Sequence, residues 1–345
     1  MMTSANVVPV FMGSGLIAHS HARALVELGH RPAVVWSPRA DSRDRFARAW
    51  GAVSAPSIEA AMDTAGATHV HICTTPMNHN EPIRAAAARA LTIVSEKPLA
   101  PTGALAQDAF DAVQGTPTEA WLNFNRRMDE GIQLLRSIMA KGTIGTAVSV
   151  NGHYRQQWNA TPTGLDWRLD PKQVGPSRTI TEIGSHWLDL AAFVLGARIT
   201  AASGVLGYGG PREYVTDTDR GMVNPPNDDF FASLLTFESG AVGQVYGTQL
   251  AHGAFDEIEL RIDATRGSAV WSSEHPNLLR FGNKTEGMRT VGIDSPTRSL
   301  SASISAIYQG TAPEQGVATF LDGVNNARAI DAVLASARTR AWVDV

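Results

Sequence analysis

Cysteine is nearly absent from this 345-residue chain. One thiol, Cys73, excludes an internal disulfide, so nothing in the sequence calls for an oxidising compartment. Charge of one sign is not in excess either: 29 Lys and Arg stand against 33 Asp and Glu, without a basic tract to follow a phosphate backbone. Nucleic acid is therefore not an expected partner. No apolar run approaches the roughly 18 residues of a membrane span, so no membrane association is expected. The apolar stretch 7–18 imitates a leader core, but no Lys or Arg precedes Arg23, and the cytoplasm is the expected location.

What is present is the composition of a folded globular protein. Hydrophobic residues make up 43% and charged residues 18%, with 31 Gly and 18 Pro. That length favours two domains with sizeable cores. In the first third, short apolar runs alternate with helical patterns. Strands are expected over 7–12, 32–36, 68–73, 91–94 and 120–124, and helices over 16–28, 41–50 and 81–90. This alternation is the pattern of a parallel sheet covered by helices. Pro9 lacks the N–H a central strand needs, which places it at the strand's start or at an irregularity.

After about Asn125 the pattern changes. A helix over 129–140 precedes strand-like segments at 147–154, 229–237, 241–249, 258–262 and 268–271, with helices at 184–196 and 319–337. The expected architecture is α/β: a doubly wound parallel sheet in residues 1–124, then residues 125–345 with a large, mostly antiparallel open sheet.

Between the first strand and first helix stands Gly13-Ser14-Gly15-Leu16-Ile17-Ala18. A dinucleotide needs a tight turn, then close backbone approach at a helix start, then a small residue where helix meets strand, and Gly13, Gly15 and Ala18 fill these places. Between a strand and a helix this points to a Rossmann dinucleotide-binding domain, the alternative being an ordinary glycine turn. NAD enzymes carry an acid at the end of the second strand for the ribose hydroxyls. Here that stretch is Val35-Trp36-Ser37-Pro38-Arg39, with no carboxylate before Asp41. Ser37 and Arg39 suit a 2′-phosphate, so NADP is the preferred cofactor and NAD the alternative. Arg43 is a further basic candidate.

Ligands bind at the carboxyl ends of parallel strands, where Thr74, Thr75, Pro76 and His79 follow the third strand and Glu96-Lys97-Pro98 the fourth. Glu182 and His186 are four residues apart, one helical turn, so a carboxylate stands within reach to orient an imidazole acting as general base. Equally, Glu182 can serve as a helix-start carboxylate and His186 as a packed polar residue. His19, His21, His69 and His71 lack carboxylate or thiolate partners at metal-ligand spacing, and no metal site is expected.

These motifs together resemble the family of glucose-fructose oxidoreductase, inositol dehydrogenase and MocA-type oxidoreductases. The resembling residues are Gly13 to Ala18 with His21-Ala22, Cys73-Thr74-Thr75-Pro76 with His79, Glu96-Lys97-Pro98, Asn125-Arg126-Arg127, Trp167-Arg168 and Gly184-Ser185-His186 to Asp189. The stretches 271–277 and 319–323, and the closing Trp342-Val343-Asp344-Val345, resemble the family too. The resemblance implies a cofactor set of Gly13, Ser14, Gly15, Leu16, Ile17, Ser37 and Arg39. To these it adds Thr74, Thr75, Pro76, His79, Glu96, Lys97, Asn125 and Arg168. It implies Lys97, Glu182 and His186 as the catalytic set, with Glu182 standing where relatives have aspartate. The second domain is then the substrate-binding and oligomerising one, in a homodimer or homotetramer.

The expected activity is hydride transfer between the nicotinamide and a secondary hydroxyl, or its ketone, of a sugar, glycoside or cyclitol. His186 takes the hydroxyl proton and Lys97 stabilises the oxygen. Tyr154, Trp158 and Arg178 join Lys97 and His186 on the substrate side. Two other readings stay open: a ketoreductase of nucleotide-linked deoxysugars, with Arg178 or Arg155 facing the diphosphate, and a non-catalytic NAD(P)-binding sensor.

Overall fold

A computed structural model of the chain describes residues 7–160, 167–215, 220–293 and 299–345. Its packing divides into two units. The first comprises Met1–Ala100, Ala104–Asn125 and Arg298–Val324, and the second Pro101–Gly103, Arg126–Thr297 and Asn325–Val345.

The first unit opens with β1 (Pro9–Met12), α1 (Leu16–Glu27), β2 (Val34–Trp36), α2 (Ala40–Trp50), β3 (Val53–Ser54) and α3 (Ile58–Met62). It continues with β4 (His69–Ile72), α4 (Asn80–Ala87), β5 (Thr92–Glu96), α5 (Gly103–Val113) and β6 (Ala120–Asn123). The parallel strands lie in the order β3-β2-β1-β4-β5-β6. This is the order of a Rossmann sheet, and its winding reverses between β1 and β4. All four residues of β1 are buried, which explains a continuous apolar run instead of an alternating one. Pro9 stands at the strand's first residue. Helix α1 buries Ala18, His21, Ala22 and Leu25, the three-to-four spacing of one helical face. Helix α4 stops short of the expected Ala90, because Leu91 N turns back to Ala86 O and Ala90 takes a left-handed φ of 53°. The two residues of β3 are both exposed, so no periodicity announces them.

The second unit contains α6 (Glu130–Ala140), β7 (Ala147–Arg155), α7 (Pro171–Val174), α8 (Ser185–Leu195), β8 (Ile199–Gly207), β9 (Arg212–Val215) and β10 (Arg220–Val223). Then follow β11 (Phe230–Phe237), β12 (Val242–Thr248), β13 (Glu257–Ala264), β14 (Ser268–Ser272), β15 (Leu278–Asn283) and β16 (Gly287–Gly292). The chain closes with α9 (Ser299–Tyr308), β17 (Ala318–Thr319), α10 (Phe320–Thr339) and β18 (Val343–Asp344). Nine strands lie in the order β16-β15-β14-β13-β7-β12-β11-β8-β18, and every neighbouring pair is antiparallel except β7 with β12. Along β11, Phe231, Ser233, Leu235 and Phe237 are buried and the residues between them are not, the alternation of a sheet covered on one face. Trp187 and Trp271 are buried in its core.

Residues 298–324 group with the first unit, on the far side in sequence of the expected boundary at 124/125. The reason is apolar burial: α9 packs on α1, Ile304 and Ile307 are buried, and β17 pairs antiparallel with β6. No helix among the described residues is long and apolar enough to cross a membrane.

Candidate active site

In the first unit, the loop after β1 lies at the reversal of winding. Gly13 has φ +107°, and a Cβ there would stand 2.4 Å from the Cys73 carbonyl oxygen, so only glycine fits. Gly15 caps α1 with extended backbone (φ −80°, ψ −176°), and a Cβ on it would meet nothing within 4 Å. Beside it Leu16 is 88% exposed, and the first turn of α1 has no acidic residue. An open helix start with its positive end unopposed fits a pyrophosphate. The Ser14 and Ser42 hydroxyls, 2.7 Å apart and buried, pin the loop to α2.

Ser37 is buried just after β2, while Arg39 is exposed at the start of α2. Arg43 is committed elsewhere: its Nε donates to Ser54 Oγ at 2.7 Å. After β4, Thr74 Oγ1 donates to Asn78 O at 3.0 Å, Asn78 Nδ2 donates to Thr75 Oγ1 at 2.7 Å, and Pro76 opens a short turn. His79 is buried with its ring nitrogens 3.1 Å from the Leu99 and Thr74 carbonyls, and burial holds its pKa below the ordinary value. Asn125 Nδ2 donates to Ser299 Oγ at 3.0 Å. Glu96, expected at the dinucleotide, is instead turned inward: Oε1 lies 2.9 Å from His21 Nε2 and accepts from Asn123 Nδ2 at 2.7 Å, while Oε2 accepts from Lys97 N at 3.1 Å.

In the second unit, His186 lies in the first turn of α8, which continues from a π-helical turn at Ile180–Gly184. Such wide turns recur at functional sites because they re-aim side chains within a helix. His186 is buried, 6.1 Å from the Tyr154 ring centroid. Glu182 lies in the wide turn, where Oε1 accepts from Arg168 Nε at 2.6 Å and Oε2 from Gln249 Nε2 at 2.8 Å. Arg168, implied by resemblance for the cofactor, thus pairs with Glu182 within this unit and stacks on Trp167. Buried Tyr154 donates to Asp256 Oδ1 at 2.5 Å; burial, then the Asp256 charge, pushes its pKa up. Trp158 is half exposed.

Arg178, expected on the substrate side, is fully buried and paired with Asp229, which also pairs with Arg212. In this arrangement its guanidinium has no exposed surface and braces the core at Asp229. Arg155 is paired with Glu257 at 2.5 Å at the half-exposed end of β7.

Asp228 escaped the sequence reading, and so did the pairing of Arg127 with Asp189, although both of those residues lie in the resembling motifs. Asp228, buried before β11, accepts from Ser177 Oγ at 2.7 Å, Arg178 N at 2.8 Å, Thr179 N at 3.0 Å and Ile180 N at 3.3 Å. It therefore caps the turn that leads to His186. Arg127 clasps Asp189 of α8 with two bonds of 2.8 and 2.6 Å. The signal available was Asp228-Asp229, two carboxylates together at the edge of an apolar strand, a pair that demands buried donors.

Residues 8–124 match the family described as oxidoreductase family, NAD-binding Rossmann fold, and residues 132–270 match the GFO/IDH/MocA C-terminal domain. Strand order, glycine loop and these matches define an NAD(P)-dependent oxidoreductase built on a Rossmann sheet. Levoglucosan dehydrogenase of Pseudarthrobacter phenanthrenivorans is 30% identical over 316 residues, 80% of each chain. The chain belongs to the GFO/IDH/MocA oxidoreductase family. Inositol 2-dehydrogenase of Streptomyces avermitilis is 28% identical over 197 residues, 56% of this chain and 54% of that one. Among solved structures, levoglucosan dehydrogenase in complex with NADH and L-sorbose is similar with a TM-score of 0.88 and 27% identity, over 98% of each chain.

Proposed function

We propose that the chain oxidises a secondary hydroxyl of a sugar, glycoside or cyclitol, or reduces the matching ketone, with His186 as acid-base and Lys97 on the reacting oxygen. The observation that carries this reading is His186 itself, a buried imidazole in the first turn of α8, directly after the wide turn whose approach Asp228 caps. The bound nicotinamide supplies the hydride chemistry. His186 removes the hydroxyl proton in oxidation and returns it in reduction. Lys97 donates to the same oxygen and stabilises its developing negative charge. Glu182 shapes the field around His186 while Arg168 and Gln249 hold its carboxylate in place. Gly13 to Ile17 hold the pyrophosphate through backbone N–H groups, and Thr74 to Pro76 with His79 shape the adjoining wall.

Ser37 and Arg39, with no acid at the end of β2, support NADP over NAD. The outward-facing apolar residues Val205, Leu234 and Val242 of the large sheet support a homodimer or homotetramer, which light scattering tests. The deciding experiment is a panel of sugars, glycosides and inositols followed at the nicotinamide absorbance with each cofactor. Turnover with a free polyol supports the reading; turnover with nucleotide-linked sugars alone, or binding without any turnover, refutes it.

A further inference from the structure

His21 is fully buried on the inner face of α1, and neither the dinucleotide loop nor the acid-base pair uses it. Its Nδ1 lies 2.9 Å from His71 Nδ1 of β4, and its Nε2 2.9 Å from Glu96 Oε1 of β5. Beyond His71, Nε2 lies 2.8 Å from Tyr308 Oη of α9. Ser303 Oγ donates to Asn123 Oδ1 at 2.7 Å, orienting the amide that donates to Glu96. The last link is Lys97 N, which donates to Glu96 Oε2. A continuous polar line thus joins Tyr308 to the backbone of Lys97.

The line has one place for a compensating positive charge. Glu96 accepts on both oxygens, as an anion does. The two facing Nδ1 atoms share one proton; with His21 as an imidazolium that proton is donated to a neutral His71, whose Nε2–H is then donated to Tyr308. The groups facing His21 are His71 and Cys73 from β4 and its end, Glu96 from β5 and Asn123 from β6, with Lys97 beyond Glu96. Burial opposes a charge on His21, yet Cys73 and Glu96 outweigh it and raise its pKa to about 10. His71 is held well below the ordinary value by burial, then by His21 and His69. Glu96 is held low despite burial by His21, Asn123 and the Lys97 charge.

We propose that His21 is a positioning residue for Lys97: as an imidazolium it keeps Glu96 ionised, and Glu96, gripping the Lys97 N–H, fixes that residue and sets the field at its side chain. The inference rests on the proposed role of Lys97, so the test reads Lys97 apart from turnover. Reductive 13C-methylation labels Lys97, Lys141, Lys172 and Lys284, with Lys97 assigned by Lys97→Arg. His21→Gln keeps a donor but no charge, leaving the Glu96 carboxylate uncompensated, and the Lys97 titration should move up by about one pH unit. The pH profile of kcat/KM should move with it. In a Glu96→Gln background His21→Gln should add no further shift, since the two act in series. An unmoved Lys97, or an equal shift in both backgrounds, overturns the proposal. If His21→Gln does not fold, the ring-nitrogen resonances of the wild type decide: an imidazolium at His21 at pH 8 to 9 supports it and a neutral ring refutes it. Should the coupling hold while Lys97→Ala leaves turnover intact, the catalytic reading of Lys97 fails and the His21 relation stands.

Discussion

Removing one carboxylate, Asp228, should loosen the segment that presents His186. Its two oxygens serve one hydroxyl and three backbone N–H groups, all buried. Asp228→Ala strands these donors at about 1–3 kcal/mol each, though water entering the vacated space recovers part of that. The expected net loss is about 3–5 kcal/mol, near the upper end for a single substitution. For a unit of this size that corresponds to roughly 6–20 °C in Tm. Asp228→Asn keeps the shape and one acceptor oxygen, and should cost about half as much. Urea denaturation followed by tryptophan fluorescence reads the loss, Trp187 and Trp271 reporting from the core of the second unit and Trp36, Trp50 and Trp121 from the first. Because the turn leads directly to His186, kcat should also fall roughly tenfold to a hundredfold. Dinucleotide affinity should stay within a few-fold, since the glycine loop belongs to the other unit. A stability loss below about 1 kcal/mol with normal turnover would refute the assignment of Asp228 as the anchor of this turn.

Lys97→Ala and His186→Ala should each lower turnover roughly a hundredfold or more while cofactor affinity, measured by fluorescence titration, holds. Gly13→Ala should destabilise the fold by about 2 kcal/mol or more in urea, through its positive φ and the Cys73 carbonyl. Gly15→Ala should leave stability near wild type but weaken NAD(P)H in a direct titration, because its Cβ points into open space at the helix start. Changing Ser37 to Asp and Arg39 to Ala should reverse the expected preference for NADP, checked by comparing Kd for both cofactors. His69 has its pKa lowered to about 4 by burial, then His30. Its folded value lies below the unfolded one, so its contribution is present above pH 6.5 and lost as pH falls through 4. A His69→Asn variant should therefore lose less stability than wild type over that window in parallel acid titrations.

The parallel sheet was legible because each buried strand is an unbroken apolar run closed by a turn, and β1 with Gly13 to Ala18 is the clearest case. Elements whose signal lies in packing were not legible. Strand β8 reads ITAASGVLG, weak in strand-forming residues, and pairs because β11 lies beside it. The catalytic candidates could be named from motif and spacing, but not their partners. That Glu182 is shared by Arg168 and Gln249, or that Arg178 pairs with Asp229, depends on contacts between distant residues. Asp228 and Tyr308 were invisible for the same reason, since no local pattern distinguishes a buried cap or relay end from a surface residue.

The late return of Arg298–Val324 carries a consequence for synthesis. When residue 125 leaves the ribosome, the first sheet still lacks β17 along β6 and α9 over α1. Until the last tenth or so of the chain emerges, β6 is a bare edge and His71 has no Tyr308 to meet. An open strand edge held for many seconds at ribosomal speed is an invitation to wrong pairing. The nascent Rossmann half is therefore exposed to mispairing, and fragments cut at the apparent domain boundary should aggregate where the intact chain folds.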